Sequence, residues 1–386
     1  MMATKSKRAR ITPQRNLAKI FMFWAFLVFA VKLIIILNIT QGAWFGADGE
    51  NYLKGVEGLL NDGIFSKESV LNYWPAGYPL IIYLLTIFGK SWVLAILSIL
   101  QSAIFSFAVY FFAKQLSRTR LKNYSYFSLI IILFNPTLSL SSIVVGYESL
   151  AASGSLVVIG IITKDLIERK ETRFLVDLIY ASAILGILTF MQPRLIIGSI
   201  VILLLWVFIR NPIRTAALFS TISLLVVLFF PATLIYRNQK STGVTTISTN
   251  LGVTMNIGAG DGATGGYDSK KQGVICDITT TDIGKADSER LACVLNWYVK
   301  NSGQVPKLFF NKSIYFWSPW SGPILSGTMG RNPWLKINPI KSIERNPDGI
   351  KLVTGPFGKF VSGAWILIGI LLLFYGFYIL WRAKFN

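Results

Sequence analysis

Histidine is absent from all 386 residues. That removes imidazole zinc sites, Ser–His triads and histidine bases together, so acid–base chemistry falls to Asp, Glu, Lys or Tyr. Charge is scarce as well: 15% of residues are Asp, Glu, Lys or Arg, against about a quarter in a soluble domain. No Gly-x-x-x-x-Gly-Lys-Ser/Thr phosphate loop occurs, so nothing in the sequence points to a bound nucleoside triphosphate. No small-residue cleavage site follows the first apolar run, which therefore reads as an uncleaved helix. Cysteine is limited to Cys276 and Cys293.

In place of charge there is apolar length. The chain is 53% hydrophobic with mean hydropathy +0.55, and several stretches exceed the 18 or so apolar residues that cross a bilayer core as a helix. The expected fold is an all-α polytopic membrane protein of about eight transmembrane helices, near 20–40, 91–113, 124–144, 149–163, 174–190, 195–209, 215–236 and 359–381.

A net charge of +20 is compatible with a nucleic-acid binder, but its distribution argues otherwise. Eighteen of the 38 Lys and Arg fall in the short segments 1–19, 114–123, 164–173, 210–214 and 382–386. This is the pattern of cytoplasmic loops. Both termini are expected inside an inner (plasma) membrane, with membrane lipids as surroundings and no nucleic-acid partner. Lys32 lies within the first span, where a cation either turns toward other helices or the interface, or marks function. The apolar run 76–88 is too short to cross, and a crossing there would put the basic segment 114–123 outside. It reads as an interfacial helix.

Two long outer loops result, 41–90 and 237–357, dividing the chain into 1–236 (seven spans), 237–357 (a mixed outer subdomain) and 358–386 (last helix and tail). The second loop has an amphipathic stretch, Leu291, Val294, Leu295, Tyr298 and Val299, ended by Gly303. Lys307, Phe309, Phe310, Lys312, Tyr315, Phe316, Trp317 and Trp320 follow, a mixture suited to a membrane surface. Cys276 and Cys293 both fall here. In an oxidising space they either form a disulfide, contributing about 3 kcal/mol in the chain-entropy model, or remain two separate buried thiols.

The first outer loop reads Gly46-Ala47-Asp48-Gly49-Glu50-Asn51-Tyr52 and, further on, Trp74-Pro75-Ala76-Gly77-Tyr78-Pro79. A carboxylate just past a transmembrane helix can act as general base on a hydroxyl. Equally, Asp48 can cap the helix that follows. Spacing alone leaves the two roles even.

The Asp48-x-x-x-Tyr52 pattern with Pro75-x-x-Tyr78-Pro79 resembles the first outer loop of the GT-C class of membrane glycosyltransferases. The similarity is to the branch holding protein O-mannosyltransferases and the lipid A aminoarabinose transferase. The resemblance implies that Asp48 is the catalytic base and that Tyr52 and Tyr78 belong to the substrate loop. Some relatives have Asp-Glu at this place; here Gly49 follows Asp48, and Glu50 comes one position later. The family's second outer turn often carries an acid, which matches Glu148 in Gly146-Tyr147-Glu148-Ser149. A Pro-Arg in the third outer turn matches Gln192-Pro193-Arg194. Arg237-Asn238, Ile247 to Gly252 (including Asn250) and Gly258 to Tyr267 resemble the opening of the family's long outer loop.

The implied donor is a polyprenyl-phosphate-linked sugar, since a compartment without nucleotide pools supplies activated sugars on lipid carriers. Its leaving phosphate gains charge in the transition state, and fixed cations stabilise that charge. Arg194, Arg237 and Lys312 are the candidates, each of which also reads as an interfacial anchor. The glycines Gly258 to Gly266 either wrap a sugar or phosphate with backbone donors or form a flexible loop. No cofactor is expected beyond the donor, or a divalent cation held by Asp48 and Glu148. The acceptor is a hydroxyl of a glycan, lipid or protein. Competing readings are a flippase or transporter, or a polymerase or ligase, of lipid-linked glycans. Against a transporter stand the lack of an inverted repeat and spans with few polar residues beyond Lys32 and Asp177.

Overall fold

The computed structural model describes residues 15–38, 42–45, 48–261, 263, 273–317 and 356–385. Gly46, most of the glycine run beyond Asp261, Trp320 and the basic residues before Arg15 lie outside this set.

Among the described residues six helices are long and apolar enough to cross a membrane, the architecture of a helical multi-pass membrane protein. In chain order the elements are α1 (Arg15–Asn38), β1 (Trp44–Phe45), α2 (Gly49–Asp62), α3 (Val70–Tyr73), α4 (Gly77–Leu85), α5 (Val93–Leu116), α6 (Lys122–Leu133), α7 (Pro136–Ser141), β2 (Val144–Val145), α8 (Glu148–Glu168), α9 (Glu171–Met191), α10 (Ile196–Arg210), α11 (Ile213–Thr242), α12 (Leu251–Ile257), α13 (Ile283–Lys300), α14 (Val305–Trp317) and α15 (Pro356–Phe385). Those six are α1, α5, α8, α9, α10 and α11, each with the apolar runs that the sequence predicts.

Side-chain contacts fix how the chain alternates between the two ends of the bundle. Ile36 at the end of α1, Ala95 at the start of α5, and Ile143 and Val144 share one buried cluster, so these segments meet at one end. At the other end Arg118 pairs with Glu168 at 2.7 Å, Lys164 with Asp177 at 3.0 Å, and Arg210 with Asp165 at 3.4 Å. Asp177, the one acid expected within a span, is thus neutralised by its neighbour.

The third expected span, 124–144, is not one helix. The path from Lys122 to Val145 still climbs from one end to the other, but α6 stops after 12 residues, a rise of about 18 Å. The cause is local. Pro136 has no N–H to continue the ladder and disfavours the helical conformation at Asn135. Asn135 instead becomes the N-cap of α7, its Oδ1 accepting from Leu138 N at 2.9 Å. The seventh span is longer than expected: α11 runs on through Arg237 and Asn238 to Thr242, and ends at Gly243 with φ +78. The segment after this helix therefore begins six residues later than the hydropathy change suggests. Its described part holds α12, α13 and α14, joined by irregular stretches.

The segment 76–88 is a short helix packed on α2, α5 and α9. It buries Tyr78, Pro79 and Ile82 and leaves Leu84, Ile87 and Phe88 exposed. Lys32 is 2% exposed and places its Nζ 4.1 Å over the Phe105 ring of α5. It faces the bundle.

Candidate functional site

Four residues of parallel sheet set the site. Trp44 pairs with Val144 and Phe45 with Val145, joining the chain that leaves α1 to the chain that enters α8. In this register Asp48 and Glu148 each stand three residues past the last pair.

A buried polar chain holds the turn before Glu148. Gln101, in the middle of an apolar span, donates from Nε2 to the carbonyls of Ser142 (3.3 Å) and Val144 (3.0 Å). Its Oε1 accepts from the Tyr78 hydroxyl at 3.2 Å, and Tyr78 Oη accepts from the amide of Gly146 at 2.9 Å. Each member satisfies the next, which a polar group in a membrane interior requires. Tyr52 of α2 then packs edge-on against Tyr78 (5.1 Å) and Tyr147 (6.5 Å).

Asp48 occupies the N-cap position of α2, yet its side chain makes no capping hydrogen bond. Asn135 and Asp282, at the starts of α7 and α13, do make one. The carboxylate of Asp48 is therefore left for other work. It is half-buried. Burial lifts its carboxyl above the ordinary range, and the Arg194 guanidinium pulls it partly back. A base with raised proton affinity results.

Glu148 lies within range of the Asp48 charge. It keeps an exposed surface, and burial of its carboxyl raises its proton affinity. Its carboxylate folds back over Gly146: a Cβ there would come 2.3 Å from Oε2, so any larger residue displaces the carboxylate. Burial, followed by the neighbouring acids and tyrosines, pushes the Tyr52 phenol up. Burial and Glu148 do the same to Tyr147. Both stay protonated and can donate hydrogen bonds into the site.

Arg194 is exposed, in a single turn of 3-10 helix, Pro193–Leu195. Its one hydrogen bond among the described residues runs from Nη2 to Thr254 Oγ1 of α12, at 3.2 Å. Gln192 beside it donates to the Tyr147 hydroxyl, locking the turn before α10 to the turn before α8. Lys312 donates to Tyr298 Oη at 3.2 Å and stands where a Cβ on Gly258 would be 3.0 Å from its Nζ. Thus α12 carries Arg194 at Thr254 and Lys312 at Gly258.

Arg237 takes a different place. It is 3% exposed, and every guanidinium nitrogen already donates to protein. Nε bonds the Ile64 carbonyl, Nη1 bonds Leu71 O, Asn72 Oδ1 and Asn238 Oδ1, and Nη2 bonds Ser66 O. It clamps the segment 64–72 to α11. Asn250 likewise sits in the frame, buried at the start of α12 and accepting from Ser248 Oγ at 3.3 Å. Its neighbour Thr249 bonds the Asn72 carbonyl.

Cys276 and Cys293 are bridged, with Cα atoms 6.0 Å apart, tying the segment before α13 to that helix. Asp48 and Glu148 supply two carboxylates; among the described residues no group of three or more Asp, Glu, Cys or His gathers. Such a pair would hold an ion that keeps most of its water ligands.

Sequence reasoning assigned no role to Gln101, Tyr147, Gln192 or Thr254. Gln101 had a signal, as a polar residue inside an apolar span. The other three become visible only once the turns are brought together. Comparison with protein-family models, characterised proteins and solved structures gives no match.

Proposed function

We propose that this protein transfers a sugar from a polyprenyl-phosphate carrier to an acceptor hydroxyl, at the membrane face opposite the basic loops. The observation that carries the reading is the meeting of Asp48, Glu148 and Arg194, from three separate turns, at one end of the bundle. The basic segments 114–123, 164–173 and 210–214 gather at the other end. By the positive-inside rule, this distribution supports a site on the extracytoplasmic side.

The chemistry follows from the groups present. Asp48 takes the proton of the acceptor hydroxyl as that oxygen bonds the anomeric carbon. The bond from this carbon to the phosphate oxygen breaks, and its electron pair leaves with the lipid phosphate. Arg194 lies where it can offer its planar fork to the growing phosphate charge. Tyr52 and Tyr147, kept protonated, donate to sugar or phosphate oxygens. Glu148 orders the site by hydrogen bonding sugar hydroxyls or, with Asp48, a hydrated divalent ion. Lys312, beside Gly258 on the neighbouring helix, adds positive potential. Attack opposite the leaving group inverts the anomeric centre.

The test is transfer in proteoliposomes from a panel of polyprenyl-phosphate sugars, with the configuration of the product determined by NMR. Inversion is expected. Retention, or no transfer from any donor by folded protein, would overturn the reading.

A further inference from the structure

We propose that an anionic glycerophospholipid, from the leaflet at the basic end of the bundle, seats an acyl chain between α6 and α15. The cavity there has a volume of about 690 Å³, within the range of ligand pockets. Phe112 and Leu116 of α5, Phe127 and Ile131 of α6, and Leu372 and Leu373 of α15 line it. Two hydrogen bonds hold α15 in place. Trp365 Nε1 donates to the carbonyl of Phe134, just past the end of α6, at 2.7 Å. Nearer the other end Tyr375 hydrogen bonds Tyr124, in the first turn of α6. Between these points α15 stands off α6, and its packing is chiefly on α7.

Two glycines show that no helix fills the gap. Gly369 and Gly376 are seven residues apart and so share a face of α15. Small residues on a transmembrane helix usually let a second helix come close. Here both line the cavity, and a Cβ built on either meets nothing within 4 Å.

Depth and charge choose the occupant. Along α6 the lining runs from Tyr124 to Ile132, a rise of about 12 Å, close to one leaflet of a hydrocarbon core of about 30 Å. The mouth lies at Leu121 and Ile379. Within one helical turn of these in sequence stand Arg120, Lys122 and Arg382, all exposed. At this end of the bundle Arg118, Lys164, Lys170 and Arg210 are paired with acids. Arg120, Lys122 and Arg382 pair with no acid among the described residues. A lipid phosphate at the mouth meets these cations, while its chain fills the apolar space below. Close packing holds the chain, and the cations supply the preference for a negative headgroup. The reaction proposed above takes place at the opposite end of the bundle and is not needed for this binding.

The experiment uses full-length protein in phosphatidylcholine nanodiscs doped with a probe lipid, phosphatidylglycerol or phosphatidylcholine, carrying a diazirine in one acyl chain. Adducts after photolysis are mapped by mass spectrometry. The phosphatidylglycerol probe should label α6 between Tyr124 and Ile132 and α15 between Gly369 and Ile379. Its labelling there should exceed that of the phosphatidylcholine probe about tenfold, and unlabelled phosphatidylglycerol should compete. Gly369→Leu and Gly376→Leu, whose side chains enter the cavity, should each cut this labelling at an unchanged melting temperature. Arg120→Gln with Lys122→Gln should bring phosphatidylglycerol down toward the phosphatidylcholine level. Equal labelling by the two probes in wild type, adducts confined to other helices, or full labelling of both leucine variants would overturn the site. The chain's two cysteines are bridged to each other, so Gly369→Cys carries a single free thiol. A disulfide-linked dimer of Gly369→Cys on oxidation would put a second copy of α15 against this face and would also overturn it; a monomer is expected.

Discussion

Asp48 and Glu148 stand at matching positions, three residues past Phe45 and Val145, the last pair of a two-residue parallel bridge. One hundred residues of sequence separate them, yet the bridge brings the two carboxyls within range of each other's charge. Like charges held together resist joint ionisation, which is how neighbouring acids come to differ in proton affinity.

The placement of Glu148 depends on Gly146. In Gly146→Ala the new Cβ would come 2.3 Å from Oε2, and the carboxylate would have to swing away. Transfer should fall in Gly146→Ala by about as much as in Glu148→Gln, with little change in melting temperature, because the displaced group is the end of a flexible side chain. Parallel measurement of initial rates and thermal unfolding for both variants checks this.

Activity should fall on the acid side, because a base must be ionised to accept a proton. Burial raises the Asp48 carboxyl, so the acid limb of kcat/KM should lie above the ordinary carboxylate range. Arg194 opposes that rise, so Arg194→Gln should move the limb to still higher pH, in addition to lowering the plateau. A limb that stays put in Arg194→Gln would separate the two residues. Stability has the opposite sign. A carboxyl whose folded pKa is raised binds its proton more tightly when folded, so it favours folding at low pH. That contribution is lost as pH rises through the folded value. Asp48→Asn should therefore melt no lower than wild type at neutral pH.

Arg237 holds the loop between α1 and α5, and lysine cannot replace its fork of donors. Arg237→Lys would leave several buried carbonyls unmatched and should cost about 3 kcal/mol. The site residues of that loop should loosen with it. Hydrogen exchange across residues 64–72 should report the change most strongly.

The Cys276–Cys293 bridge closes a short loop within the outer subdomain, with a contribution of about 3 kcal/mol to that subdomain. Reduction, or Cys276→Ser with Cys293→Ser, should speed proteolysis between 273 and 300 while the transmembrane helices stay protected.

Much of the fold was legible because the bilayer imposes long apolar runs. The helices α1, α5 and α8 to α11 follow directly from them. The broken path through α6 and α7 was less so, since hydropathy does not register what Asn135-Pro136 does to a backbone ladder. The extension of α11 was hidden for a similar reason: Arg237 looks like a loop residue until its five hydrogen bonds are seen. Asp48, Glu148 and Arg194 could be named from short motifs, but motifs carry no register. Their approach to one another depends on β1 and β2, two residues each, too short to leave a pattern. Tyr147 and Gln192 depend on the same approach.

The most direct test of the account is release of free polyprenyl phosphate from a lipid-linked sugar in proteoliposomes, comparing wild type with Asp48→Asn. A positioned base is worth roughly 10²–10⁴-fold in rate. Asp48→Asn should lose that much while folding normally. Near-normal release by Asp48→Asn would contradict the account, and would leave Asp48 as the first residue of a helix and nothing more.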